Sequence, residues 1–175
     1  MTMTQISVSH PRKFDRATRG FVSGAVGGLI GAGMKLVGEW IFPPRSPGEP
    51  IPPAVAVSRL LKAFSGSPLL PEKMTLAVQG FHWSFSIGAG AIYGVIAEFA
   101  PAARAGYGIG FGMVLLLLTH ETTLPYFGFS LPWKQIPVKE HLSEIFTHAI
   151  FGVAVELTRR FVRSNFFSPP VKEFA

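Results

Sequence analysis

The sequence predicts an all-α fold: an integral membrane bundle of four transmembrane helices, with a short interfacial helix in the first outer loop. Three observations point there. Only 15% of the residues are charged, where a soluble domain carries about 25%. Mean hydropathy is positive, and glycine is abundant, at 19 of 175 residues. Four apolar stretches, at about 21–42, 75–100, 105–124 and 141–162, have the length of about 20 residues that crosses a hydrocarbon core.

Residues 1–20 form a basic N-terminal segment with Arg12, Lys13, Arg16 and Arg19. The span that follows begins like a signal peptide. It is long, however, contains Lys35 and Glu39, and runs into PPRSP without a small-residue cleavage site, so it reads as a retained anchor. The first outer loop opens with FPPRSPGEPIPP, whose prolines forbid a regular helix. After it, AVAVSRLLKAF alternates apolar residues with Arg59 and Lys62, the pattern of a short amphipathic helix that lies on the membrane surface or caps the bundle. The second span ends near Ala100, and the third contains GYGIGFG. That run follows no strand and sits in an apolar stretch, which excludes a phosphate-binding loop. The second outer loop, PYFGFSLPWKQIPVKE, mixes aromatics and prolines, and the fourth span completes a transmembrane domain at 21–163, followed by a tail at 164–175.

Lys and Arg set the orientation. With the N-terminus in the cytoplasm, the inner side receives Arg12, Lys13, Arg16, Arg19, Arg104, Arg159, Arg160, Arg163 and Lys172, so both termini are expected inside. Trp40, Trp83 and Trp133 then fall on one level, as an aromatic belt at the outer interface. The net charge of +6 flanks apolar spans and forms no aromatic-interleaved patch, so no nucleic-acid partner is expected. The chain has no Cys, which removes disulfides, thiolate metal sites and cysteine nucleophiles. Glycines four apart, such as Gly24 with Gly28, Gly90 with Gly94, Gly106 with Gly110 and Gly108 with Gly112, predict close helix packing.

The polar residues of the spans converge. Lys35 and Glu39 end the first span, His82 lies early in the second, and His120 and Glu121 end the third. Glu140, His141, Glu144 and His148 open the fourth. By helical rise nearly all lie within about 12 Å of the outer boundary. Charges at membrane depth normally face the bundle interior and pair. Glu144, His148, Gly152 and Glu156 form a row along one face of the fourth helix, with His141 beside its top.

Three readings of this cluster stand side by side. It is a structural interhelical network; or it is a proton- or pH-linked pocket, because imidazole titrates near neutrality. The third is a zinc or iron site built from His82, His120, His141, Glu144 and His148. The Glu144-to-His148 spacing differs from the ExxH of di-iron bundles. No serine sits in a nucleophile elbow, and no catalytic residue is assigned.

Two blocks of the sequence carry a resemblance. FVSGAVGGLIGAGMKLVGEWIFPPRSP resembles the opening span of the YagU-like bacterial inner-membrane proteins. LPWKQIPVKEHLSEIFTHAIFGVAVELTRRFVR resembles their closing block, with LPW, SEIFxH and an acid before an arginine pair. The resemblance implies a multi-pass protein of the bacterial inner membrane in a family without an assigned activity. It singles out Lys35, Glu39, Pro43, Pro44, Arg45, Trp133, Glu144, His148 and Glu156, with Arg45 as a counter-charge for Glu39 or Glu144.

The function expected is non-enzymatic: proton- or pH-linked handling of a small solute or ion through a periplasm-facing pocket of Lys35, Glu39, Arg45, His82, His120, Glu121, His141, Glu144, His148 and Glu156. The alternatives are an accessory or assembly subunit of a membrane complex and a metal-binding membrane enzyme. Membrane lipid is one expected partner; a second copy of the chain or another membrane protein is the other, because four spans are few for a transporter acting alone.

Overall fold

The computed structural model describes residues 13–46, 48–49, 51–66 and 71–167. Arg12 and the rest of the segment before it, Pro47 of the PPRSP block, and the tail from residue 168, Lys172 included, lie outside the described residues. Every regular element among the described residues is helical.

Helix α1 (Lys13–Ile41) is 29 residues long, roughly 43 Å by helical rise, and starts well ahead of the apolar stretch. Pro43 and Pro44 end it, since proline donates no N–H and disfavours helical backbone before it. Helix α2 (Pro52–Ser65) begins with two prolines at the tolerated first turn and ends at Gly66, whose φ of 71° lets its N–H close on the Lys62 carbonyl. Helix α3 (Pro71–Phe99) has the length of α1.

The third apolar stretch is not one regular helix. Pro101–Gly108 is a tight 3-10 run in which Gly106, Tyr107 and Gly108 take left-handed backbone, with φ of 63°, 53° and 90°. Regular α-helix α4 covers only Ile109–Leu118. Thr119–Thr123 then widen into a π turn, and the three-residue α5 (Leu124–Tyr126) closes it. Thr122 and Thr123 donate to carbonyls five residues back, at 2.8 and 2.6 Å, and Pro125 has no N–H to offer Glu121. A short 3-10 turn (Trp133–Gln135) leads into α6 (Val138–Phe166), again 29 residues.

Glycines set how close these helices come. On one face of α1, a Cβ at Gly24 would meet the Gly90 carbonyl and lie 2.8 Å from Gly94 Cα; with no Cβ, the α1 and α3 backbones touch. The adjoining edge of the same glycine-lined face packs on α6, where Gly31 lies against Phe151 and Val155. Across α6, Gly108 and Gly112 receive the backbone at Gly152 and His148. Tyr93 of α3 stacks on Phe111 of α4 at 4.3 Å between ring centroids, which closes the bundle around Tyr93, Ala97, Phe151 and Val155. Gly106 and Gly110 do not join this packing: Gly106 makes a turn, and Gly110 looks into open space.

Large apolar side chains cover the outside of the bundle, and polar side chains are buried inside it beside the apolar core. Phe21, Val26, Leu29, Ile92, Ile96, Leu117, Leu118 and Phe161 are exposed, while Ser23, Ser143, Glu144, Thr147, His148, Glu156 and Arg159 are buried. Two segments, Lys13–Ile41 and the run Pro101–Tyr126 with its kink at residues 105–108, are long and apolar enough to cross a membrane by length and composition. Helices α3 and α6 have the length, but not that composition along the sequence. Trp83 packs beside Gly33, about 10 Å along α1 from Trp40 by helical rise, so the tryptophans do not share one level.

Candidate functional site

At the end of the bundle where α1 stops and α6 starts, the connecting segment bends back over the helices. The Ser143 hydroxyl of α6, fully buried, donates to the Phe42 carbonyl at the end of α1. Just beyond, Arg45 pairs with Glu140 and approaches Glu144 Oε1 at 3.6 Å. Nearly two turns before the end of α1, Lys35 pairs with Glu39 and lies 3.4 Å from Glu144 Oε2. Glu144 is therefore the point where α1, the bend and α6 meet.

The imidazoles reach the same carboxylate. The π turn brings His120 Nδ1 to 3.6 Å from Glu144 Oε1. His148 Nδ1 lies 3.5 Å from Glu144 Oε2 and 2.8 Å from the Glu144 backbone carbonyl. That carbonyl only accepts, so Nδ1 carries the proton and Nε2 keeps the lone pair in the neutral ring. The His120 and His148 rings meet edge to face at 5.0 Å. A cavity of about 140 Å³ opens beside them, walled by Lys35, Glu39, Arg45, His82, His120 and Glu144, with Pro44, Ile51 and Pro53 as part of its apolar wall. His82 Nε2, lining it from α3, is buried and has no hydrogen-bond partner among the described residues. Two imidazoles, two carboxylates and two cations thus share one space of a few water molecules' volume, with His148 packed against His120 beside it.

Two of the expected pocket residues form a pair elsewhere. Glu121, next to His120 on the π turn, points away and holds His141 Nδ1 at 3.1 Å, while His141 Nε2 lies 2.9 Å from the Trp133 carbonyl. This pair lines a separate groove with Met113, Leu117 and Ile145. Of the five histidines and acids proposed as metal ligands, His120, Glu144 and His148 have donor atoms within 4.8 Å of one another; His82 and His141 are not in that group.

Glu156 is a member of the opposite end. It accepts from Tyr93 Oη at 2.8 Å, Arg159 Nε at 2.7 Å and Arg160 Nε at 2.6 Å. Glu98 beside it pairs with Arg163 at 2.8 Å and lies 3.7 Å from Arg159, while Arg104 borders the same hollow. Between the two ends, Phe151 is buried and Gly152 abuts Gly108, so the row from Glu144 through His148 has no polar continuation to Glu156. Ser143 and Tyr93 carry no charge, and the sequence reading passes over them; Glu140 is named among the converging polar residues and Arg163 among the inner-side charges, but neither is placed in the site.

Residues 29–157 match the family described as protein of unknown function (DUF1440). Over 177 aligned positions the chain is 27% identical to the Inner membrane protein YagU of Escherichia coli (strain K12), which covers 86% of this chain and 87% of that relative. No solved structure matches. All ten expected site residues, Lys35 to Glu156, lie within the matched region.

Proposed function

Because the chain belongs to the DUF1440 family, and its relative in Escherichia coli is an inner membrane protein, we propose that it is a multi-pass inner-membrane protein that handles a small solute or ion. In this reading four helices span, both termini are cytoplasmic, and the Glu144 cavity opens toward the periplasm. Helices α3 and α6 qualify as spans despite their composition because α6 turns Glu144, His148, Glu156 and Arg159 inward and keeps Phe161, Leu157 and Ile145 outward. The lipid then meets apolar surface, and the buried charges are paired. The end holding Arg16, Arg19, Arg104, Arg159, Arg160 and Arg163 is the cytoplasmic one by the positive-inside bias.

The observation that carries the reading is the cavity of about 140 Å³ lined by both ionic and imidazole side chains inside a bundle with an apolar exterior. At the other end the Glu156 carboxylate is itself fully bonded to Tyr93, Arg159 and Arg160, whereas Glu144 lines its cavity. Proton uptake at His148 or His120 changes the balance of cations around Glu144, and Glu144 links α1 to α6 through Lys35, so a charge change there biases the packing of the two helices. In reconstituted liposomes, amide exchange of α1 and α6 should differ between neutral and acidic pH, and His148→Gln should remove that difference. A His148→Gln protein that responds like the parent would sink the assignment.

A second reading, as an assembly subunit, draws on Gly80, Ser84 and Gly88. These lie four apart on α3, and the two glycines look into open space, an outward small-residue face of the sort that seats another membrane helix. Replacing Gly88 by Leu should then shift the particle size in mild detergent, whereas a solute-handling monomer would keep its size.

A further inference from the structure

Buried glutamates normally collect short hydrogen bonds, and Glu156 has them from three side chains at 2.6 to 3.0 Å. Glu144 is almost as buried, at 4% exposure, yet is held at arm's length. Its carboxylate has Lys35, Arg45, His120 and His148 nitrogens around it at 3.4, 3.6, 3.6 and 3.5 Å. The two formal cations have nearer carboxylates of their own, in Glu39 and Glu140. Beside Glu144, His148 presents an Nε2 lone pair set by its Nδ1 contact to a backbone carbonyl, and His82 Nε2 is buried without a partner on the wall of the same cavity.

We propose that His120, Glu144 and His148 form a binding site for a first-row divalent cation of the zinc class, with His82 available as a further donor from α3. The proposal rests on the solute- or ion-handling reading of this cavity and names its ligand. Two imidazoles and one carboxylate are a zinc donor set, with bonds of about 2.0 to 2.2 Å. Their donor atoms already lie within 4.8 Å of one another, so small side-chain rotations bring them onto one ion. A ring nitrogen held by a backbone carbonyl is the outer contact that orients metal-binding histidines. The imidazoles select against magnesium and calcium, which take oxygen. The charge agrees: Glu39, Glu140 and Glu144 against Lys35 and Arg45 leave one negative charge in excess when the imidazoles are neutral, which favours a cation over an anion.

The test uses the full chain purified in detergent, stripped with a chelator and dialysed against buffered zinc or cobalt(II). About one metal per chain is expected, with His120→Ala and His148→Ala each weakening binding at least about tenfold, the effect that even outer-shell changes reach. His141→Ala, whose imidazole sits with Glu121, should bind like the parent. Should a variant fail to fold, the cobalt(II) spectrum of the unmodified protein decides: imidazole-ligated cobalt in a low-coordinate site absorbs far more strongly than hexaaqua cobalt. Metal that is substoichiometric, equally bound by the His120→Ala and His148→Ala proteins, or only water-like in its cobalt spectrum overturns the proposal. An overturned metal site together with a pH response that needs His148 would leave the solute reading standing; loss of both removes the cavity from consideration.

Discussion

Glu144 and Glu156 stand on the same helix about three turns apart, both sequestered from the surroundings, and are held in opposite ways. Glu156 is fully buried and bonded to Tyr93, Arg159 and Arg160 at 2.6 to 3.0 Å. Glu144 is ringed by nitrogens at 3.4 to 3.6 Å. The same residue type therefore serves as a structural anchor at one end of α6 and as the centre of a polar cavity at the other.

This contrast predicts unequal costs of neutralisation. Glu156→Gln leaves Arg159, only 3% exposed, without its main counter-charge, and breaking a buried pair in that way costs about 3 to 5 kcal/mol. Glu144→Gln leaves Lys35 with Glu39 and Arg45 with Glu140, so neither cation is left alone and the loss of stability should be clearly smaller than that of Glu156→Gln. Thermal unfolding in detergent measures both; equal losses would mean that the two carboxylates are equivalent supports.

Helix contact through glycine predicts a second contrast. Alanine at Gly24 drives its methyl into the Gly90 carbonyl and toward Gly94 Cα, and backbone cannot rotate out of the way as a side chain can. Overpacking of this sort costs about 1 to 3 kcal/mol. Alanine at Gly110 meets nothing within 4 Å and should be neutral or stabilising by up to about 1 kcal/mol through helix propensity. Unfolding midpoints of the two variants in the same detergent compare them directly, and a Gly24→Ala protein as stable as the parent would show that α1 and α3 are not in backbone contact.

Local spacing explains what the sequence could show. Lys35 with Glu39 and Glu144 with His148 are four residues apart, so their shared faces follow from helical geometry alone. What lies between helices did not follow. Glu156 continues the Glu144 row in spacing but stands about 18 Å further along α6 by helical rise, and what the sequence did not show is the partner from α3, Tyr93, that joins Arg159 and Arg160 on it. Gly106 with Gly110 has the same interval as Gly108 with Gly112, yet one pair packs and the other does not. The break at residues 105–108 was hidden because hydropathy is blind to left-handed backbone, although closely spaced glycines are a turn signal. Glu140 and Ser143 became site residues through the path of the chain after Pro43 and Pro44, which no periodicity describes.

That path yields the last prediction, which concerns Arg45. The segment after α1 contributes Pro44, Ile51 and Pro53 to the cavity wall, and Arg45, paired with Glu140 and 3.6 Å from Glu144, ties it down over α6. Arg45→Ala removes the tie and should let the wall open more often. Because the chain has no Cys, a single Cys placed at Val78, which lines the cavity and is 7% exposed, reports that opening against no background. A membrane-impermeant maleimide added outside should label Val78→Cys about tenfold faster when Arg45 is Ala, the factor that about 1.4 kcal/mol gives. Lys at position 45 should recover only part of the protection, because an ammonium lacks the planar fork that reaches two carboxylates at once. Labelling that is fast in both backgrounds would mean that the cavity is open regardless of Arg45. Labelling only from the cytoplasmic side would reverse the proposed orientation while leaving the tie itself in place.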